Sequence, residues 1–152
     1  MRLGRRIAID HGAARIGIAM SSVDALISSP LTTISAGESA LLDVVEVIRE
    51  HEPIEVYVGL PLNLSGEFTK STKDAVAFAR ALSSVLSVEV RLVDERMTTR
   101  AAQGQLQASG KNSKVSRSLI DAAAASLILE GALAFEKTTG DVPGKSLLEL
   151  DA

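Results

Sequence analysis

The pattern of apolar and polar positions predicts a domain that opens with three consecutive strands. Residues 7–9 and 16–19 are short apolar runs rich in isoleucine, and a third run at 30–34 begins with proline. Short apolar runs bounded by Gly, Asp and Ser are typical of strands, and proline is tolerated at a strand start or at a sheet edge. The opening of the chain therefore predicts a three-stranded meander.

The remaining pattern alternates between helical and strand periods. Apolar positions at Leu41, Leu42, Val45 and Ile48 predict an amphipathic helix from Glu38 to about residue 51, closed by a proline. The further predicted elements are a strand at 54–60, a helix from about 69 to 82, a strand at 88–93, a helix from 100 to about 108 and a helix from about 116 to 137.

The resulting order, β-β-β-α-β-α-β-α-α, predicts an α/β fold with a five-stranded mixed sheet flanked by helices. We expect one domain over residues 1–137 and a loosely ordered tail over residues 138–152, which show no clear period. Strands one, four and five should be parallel and joined by right-handed crossovers. Ligands of such sheets bind beyond the carboxyl ends of the strands.

Composition narrows the class of protein. The 152 residues contain no cysteine, which excludes disulfides and thiolate metal sites and fits a cytoplasmic protein. The N-terminus lacks the apolar core of a signal peptide, and acids interrupt the most apolar stretch, so no membrane association is expected. The net charge of -3 gives no indication of nucleic-acid binding, which usually needs a basic surface. The aromatic content of 3% makes a base-stacking platform unexpected. Monomer and homodimer remain open.

Acidic residues are the candidates for a functional site. Asp10 follows the first strand and Asp94-Glu95 follow the fifth, so a parallel arrangement brings them to one sheet edge. Asp10 alone also fits a simple turn residue. Asp121 lies on an apolar helix face, where a charge needs an ion partner or a metal. Its spacing from Ser118 equally fits a capping box at the helix start.

A divalent cation would suit these acids. With no cysteine and only two histidines, three carboxylates favour an oxygen-ligated ion such as Mg²⁺ or Mn²⁺ over zinc. Carboxylate-held ions suit phosphoryl transfer. His51 at a predicted helix end favours a capping or dipole role. His11, beside Asp10, is a weaker candidate for substrate contact.

Four segments, in order, resemble the motifs of the YqgF/RuvX family. They are residues 9–19 (Ile-Asp-His-Gly through Arg-Ile-Gly-Ile-Ala), 58–66 (Val-Gly-Leu-Pro-Leu-Asn-Leu-Ser-Gly), 94–99 (Asp-Glu-Arg-Met-Thr-Thr) and 120–129 around Asp121. That family is described as pre-16S rRNA nucleases and as Holliday-junction-resolvase-like proteins with an RNase H-like fold. The resemblance covers about residues 5 to 135.

The resemblance implies roles for particular residues. Asp10, Glu95 and Asp121 would be the metal-binding catalytic acids, and Asp94 would position Glu95 or supplement it as a metal ligand. Residues expected to contact nucleic acid are Arg15, Asn63, Arg96, Thr98 and Arg117. Ala14, Ser22 and Leu119 replace charged residues of many relatives, which bears on phosphate contacts more than on metal binding.

The function implied is a metal-dependent endonuclease acting on structured RNA, at the 5′ end of the 16S rRNA precursor and within ribosomal particles. Branched DNA is the nearest alternative substrate, because the same metal chemistry serves a Holliday-junction resolvase. A sugar-kinase or actin-like ATPase also opens with an Asp-x-Gly turn, but it needs a second domain. A non-catalytic binding module for nucleic acid or protein is the third class.

Overall fold

A six-stranded mixed sheet of order β3-β2-β1-β4-β5-β6 forms the centre of the molecule. The computed structural model describes residues 1–95 and 117–150, without the side chains of residues 117–119. The strands are β1 (Arg6–His11), β2 (Arg15–Ser21), β3 (Ser28–Ser35), β4 (Glu55–Leu60), β5 (Glu89–Asp94) and β6 (Lys145–Ser146). The helices are α1 (Ala40–His51), α2 (Lys70–Val85), α3 (Arg117–Thr139) and α4 (Leu147–Leu150).

The predicted strand pairing is confirmed. β1, β2 and β3 form an antiparallel meander, and the β2–β3 pair has a register shift at Ile18/Ala19. β4 is parallel to β1, and β5 is parallel to β4. The carboxyl ends of β1, β4 and β5 therefore share one edge of the sheet. The helix predicted from residue 100 to about 108 lies outside the described residues.

The two faces of the sheet are covered by different helices. Isoleucines and valines such as Ile9 and Val58 pack beneath α1 and α2 in one core. On the other face, smaller residues such as Ala8 and Ala19 pack against Ala125 of α3 in a second core. Because successive strand residues point to opposite faces, neighbouring residues of one strand enter different helix layers. The small residues allow α3 to approach the sheet closely.

The tail adds a short sixth strand to the sheet. Residues 145–146 pair antiparallel with β5, so the predicted count of five strands is wrong by one. The Arg91 guanidinium donates to the carbonyls of Pro143 and Gly144 at 2.7 and 2.9 Å, which holds the returning chain against β5. A strand of two residues carries no periodicity, and these long-range hydrogen bonds leave no local sequence signal.

A buried ion-pair cluster holds α3 at the opposite end of the sheet. Glu136 is almost fully buried and accepts from Arg6 Nη2 at 2.7 Å and from Arg2. Arg2 Nη2 also donates to Glu55 Oε1 at 2.9 Å. These contacts join α3, β1 and β4 away from the edge that carries Asp10. Within residues 1–95 and 117–150, no helix has the length and apolar character needed to cross a bilayer.

Candidate active site

Asp10 and Glu95 meet at the carboxyl edge of the sheet. Asp10 is the second-last residue of β1, and Glu95 directly follows β5. Their carboxyl groups are joined by a side-chain hydrogen bond. Since a carboxylate only accepts, this bond requires a proton on one of the two groups. The parallel strands thus bring together two acids that are 85 residues apart in sequence.

Two glycines make room around Asp10. Gly17 of β2 is the direct partner of Asp10, and Gly59 of β4 lies one residue beyond the Ile9–Val58 pair on the other side. A Cβ on Gly59 would lie 2.7 Å from Oε1 of Glu95. A Cβ on Gly17 would lie 2.1 Å from the carbonyl oxygen of Asp121. The site therefore depends on the absence of two side chains.

Neither glycine is among the site residues that the sequence predicts. Each stands inside an apolar strand run, where glycine weakens a strand and often marks close approach of another backbone or group. That signal was present in Ile16-Gly17-Ile18 and Val58-Gly59-Leu60. Only the packing of α3 over the sheet shows which groups make the approach.

Asp121 brings a third carboxylate to the site from α3. Its Oδ2 accepts from Nε of Arg15 at 2.5 Å, and its negative charge raises the pKa of Asp10. Asp121 is thus near enough to influence the Asp10–Glu95 pair electrostatically. Ser118 lies inside α3 rather than before it, so the capping-box alternative loses its N-cap residue.

The Asp10–Glu95 pair retains a proton near neutral pH. Burial is the main cause that raises the pKa of Asp10, although the hydrogen bond from Glu95 opposes it. Burial, then the charge of Asp10, their hydrogen bond and the charge of Asp94 raise the pKa of Glu95 to about 7. Two interacting acids titrate as a pair, so we assign the proton to the pair.

This set of oxygen donors fits a hard divalent cation. Partly buried carboxylates that repel one another are stabilised by a proton or by a cation, and Mg²⁺ and Mn²⁺ prefer oxygen ligands. Among residues 1–95 and 117–150, no three His, Asp or Glu side chains already stand in metal-binding geometry. Asp121 is instead paired with Arg15. The residues that could hold the ion are Asp10, Glu95 and Asp121.

Asp94 faces the opposite layer from Asp10. It lies two residues after Leu92, which belongs to the core beneath α1 and α2, and it is opposite Leu60 in the β4–β5 pair. Asp94 lines a cavity of about 390 Å³ together with Phe68 and Lys145. Its clear influence on the acids is electrostatic, because its charge contributes to the raised pKa of Glu95.

Asn63 shapes the loop that follows β4. Its Oδ1 accepts from the backbone N–H of Ser65 at 3.1 Å, the hydroxyl of Ser65 at 2.8 Å and the backbone N–H of Glu67 at 2.8 Å. These bonds occupy the amide oxygen in its own loop, and the side chain is exposed. The expected nucleic-acid contact of Asn63 remains a prediction. Arg96, Thr98 and the side chain of Arg117 lie outside the described residues.

The two histidines take different positions. His11 is partly buried, packs its ring on Phe78 with centroids 4.8 Å apart, and has a pKa lowered by that burial. It is therefore neutral at pH 7. His51 Nδ1 lies 2.9 Å from the carbonyl oxygen of Val47 in the last turns of α1, as its predicted helix-end role suggests.

Comparisons with known proteins agree with this architecture. The model of the RuvX family, described as Holliday junction resolvase, matches residues 4–134. A Clavibacter sepedonicus protein is 46% identical over 147 residues, which cover 95% of this chain and 91% of that protein. A Streptomyces avermitilis protein is 43% identical over 150 residues, which cover 97% of this chain and 96% of that protein. Both are provisionally named pre-16S rRNA nuclease.

The fold also matches a solved structure. T. thermophilus RuvC in complex with a Holliday junction substrate superposes with a TM-score of 0.61 and 16% identity, covering 90% of this chain and 96% of that one. The family model and the names of the relatives identify a nuclease, and its fold is RNase H-like. Since the family model and the relatives match most of its length, the chain belongs to the RuvX family.

Proposed function

We propose that this protein is a metal-dependent endonuclease that hydrolyses phosphodiester bonds in structured RNA. The observation that carries the proposal is the convergence of three acids. Asp10 and Glu95 stand at the carboxyl ends of β1 and β5, and Asp121 lies on the helix that packs against Gly17, the strand partner of Asp10. A stable fold gains nothing evident from crowding three acids at one sheet edge. The crowding is useful when a cation replaces the proton.

The three acids would share one role, which is to bind a divalent cation. Asp10, Glu95 and Asp121 would hold Mg²⁺ or Mn²⁺, which when bound activates a water and stabilises the departing oxygen. Before that, the pair of Asp10 and Glu95 has to release its shared proton. Asp94 opposes that release through its charge, because it raises the pKa of Glu95.

The other chain groups position the acids and the substrate. Gly17 and Gly59 keep the space through which α3 and the carboxyl group of Glu95 reach the site. Arg15 would neutralise a substrate phosphate, an interaction that guanidinium groups make well. Arg96 and Arg117 would do the same, whereas the uncharged Asn63 and Thr98 would contact the nucleic acid by hydrogen bonds.

The substrate we favour is the 5′ end of the 16S rRNA precursor, met in the cytoplasm and within ribosomal particles. This choice is supported by the provisional names of the relatives, which describe a pre-16S rRNA nuclease. Branched DNA is the second candidate, favoured by the description of the family model. Both are phosphodiester substrates, and the acids alone do not distinguish RNA from DNA.

The test compares two substrates and two acids. Purified protein is incubated with labelled precursor rRNA and with a four-way DNA junction, each in Mn²⁺ or EDTA. We expect Mn²⁺-dependent cleavage of the RNA and a loss of more than about a hundredfold in Asp10→Asn, because loss of even an outer-shell partner costs about 10–100-fold. The matched control is Asp141→Asn, which removes an exposed carboxylate in the tail.

The remaining outcomes each contradict part of the proposal. Cleavage of the junction alone would replace the RNA substrate with branched DNA. Cleavage of neither substrate, with binding retained in Asp10→Asn, would indicate a non-catalytic binding module. Equal losses in Asp10→Asn and Asp141→Asn would show that the acids at the sheet edge have no special role.

A further inference from the structure

Arg15 is fixed at its backbone but accessible at its side chain. It is the first residue of β2, and its carbonyl oxygen accepts from the N–H of Gly12 at 3.0 Å. A Cβ on Gly12 would lie 2.6 Å from that same oxygen, so the turn allows little room for change. The side chain of Arg15 is 34% exposed, and that of Asp121 is 25% exposed.

The buried Arg6 shows what a structural arginine looks like in this protein. Its guanidinium donates to the carbonyls of Gly4 and Arg2 and to the carboxylate of Glu136, and the residue has no exposed surface. The bond of Arg15 to Asp121, in contrast, joins two partly exposed side chains through Nε. Rotation about the long arginine side chain can break that bond without uncovering a core.

Asp121, the third acid beside Asp10 and Glu95, already has a positively charged partner. Its Oδ2 accepts from Nε of Arg15 at 2.5 Å, and both side chains are partly exposed. A divalent cation at these acids would need the oxygens of Asp121 and would repel a guanidinium at the present position of Arg15.

We propose that Arg15 competes with the divalent cation for Asp121 and, once displaced, binds a phosphate of the substrate. This inference rests on the proposed function, because it requires the acids to bind a metal. It gives Arg15 two successive partners of the same chemistry, a carboxylate and then a phosphate, both of which guanidinium binds strongly. Metal loading and phosphate capture are thereby coupled through one side chain.

The competing view is that Arg15 holds Asp121 permanently in the orientation that a metal needs. The two views predict opposite changes in metal affinity. A competitor, when removed, leaves Asp121 available and the affinity rises. A permanent support, when removed, leaves Asp121 poorly oriented and the affinity falls. Metal affinity measured without substrate therefore separates them, independently of cleavage.

The experiment is a calorimetric titration of the metal-free protein with Mn²⁺. We expect Arg15→Gln to bind Mn²⁺ about fivefold more tightly than the wild type, since a neighbouring positive charge is gone. Arg15→Lys keeps the charge and should stay within about twofold of the wild type. The control is Arg5→Gln, which makes the same change of net charge at an exposed residue beyond the other end of β1.

A second readout tests the phosphate role. At saturating Mn²⁺, Arg15→Gln should act mainly on the KM for substrate, because a binding contact is lost. The fold-increase in KM should be about ten times the fold-decrease in kcat. Unchanged or weaker Mn²⁺ binding by Arg15→Gln would overturn the inference and leave the proposed function standing. Absence of Mn²⁺ binding by the wild type would instead remove the proposed function itself.

Discussion

Substituting Gly17 with alanine should separate α3 from the sheet. The new Cβ would lie 2.1 Å from the carbonyl oxygen and 2.4 Å from the carbonyl carbon of Asp121. Both atoms are backbone, so no side chain can rotate away. The helix has to move by about 0.9 Å before the nearer contact reaches 3.0 Å, the distance below which real Cβ contacts essentially never fall. Overpacking of this kind costs about 1–3 kcal/mol of unfolding free energy.

Urea denaturation followed by circular dichroism measures this cost. Gly37→Ala is the matched control, because a Cβ there meets nothing within 4 Å. That control should be neutral or stabilised by up to about 1 kcal/mol. If Gly17→Ala unfolds at the same urea concentration as Gly37→Ala, the proposed close approach of α3 at Asp121 is wrong. An unchanged slope of free energy against urea would show that Gly17→Ala loses stability without a change in the surface exposed on unfolding.

Three further predictions concern Gly59, Glu95 and Glu136. Gly59→Ala would push against Glu95 Oε1 and the Cδ1 atom of Ile128, which are both ends of side chains that can move. Because Glu95 is displaced, the cleavage rate should fall by more than about tenfold, whereas the unfolding free energy measured in urea should fall by less than about 1.5 kcal/mol. The pKa of Glu95 is about 7 in the folded protein and 4.5 without such burial, so between these pH values the folded state holds a proton that the unfolded state has lost. The unfolding free energy of the metal-free protein should therefore fall as pH rises from 5 to 7. Glu95→Gln should flatten this slope. Glu136→Gln leaves Arg6 buried with a weakened partner and should lower the unfolding free energy, measured in urea, by about 3 kcal/mol. The control Glu149→Gln changes an exposed residue and should lower it by less than about 0.5 kcal/mol. Equal losses would contradict a structural role for the cluster.

The convergence of Asp10 and Glu95 could be predicted because it follows from two local patterns and one topological rule. Each acid follows a run of strand residues, and parallel strands joined by helical crossovers end at the same edge. Neither step requires knowledge of a particular long-range contact. Asp121 could be nominated for a similar reason, since its position on an apolar helix face is visible in the sequence.

The orientation of Asp94 illustrates a finer limit. Adjacent acids after a strand look interchangeable in sequence, but successive residues of a strand point to opposite faces. The structure places Asp94 with Leu92, on the layer of α1 and α2. Which of two neighbouring acids joins Asp10 depends on strand register. Register is set by pairing with β4, which lies about 30 residues away in the chain.

The sequence by itself determined the strand and helix pattern, the parallel arrangement of β1, β4 and β5, and the edge at which the acids collect. These properties arise from periodicity and chain connectivity, which can be read from short segments of the sequence and their order. The tertiary structure decided that Gly17 and Gly59 provide the space at Asp10, that Arg15 pairs with Asp121, and that the tail adds β6 to the sheet. Each of these depends on the packing of segments distant in sequence, and packing contacts at that range have no periodic signature.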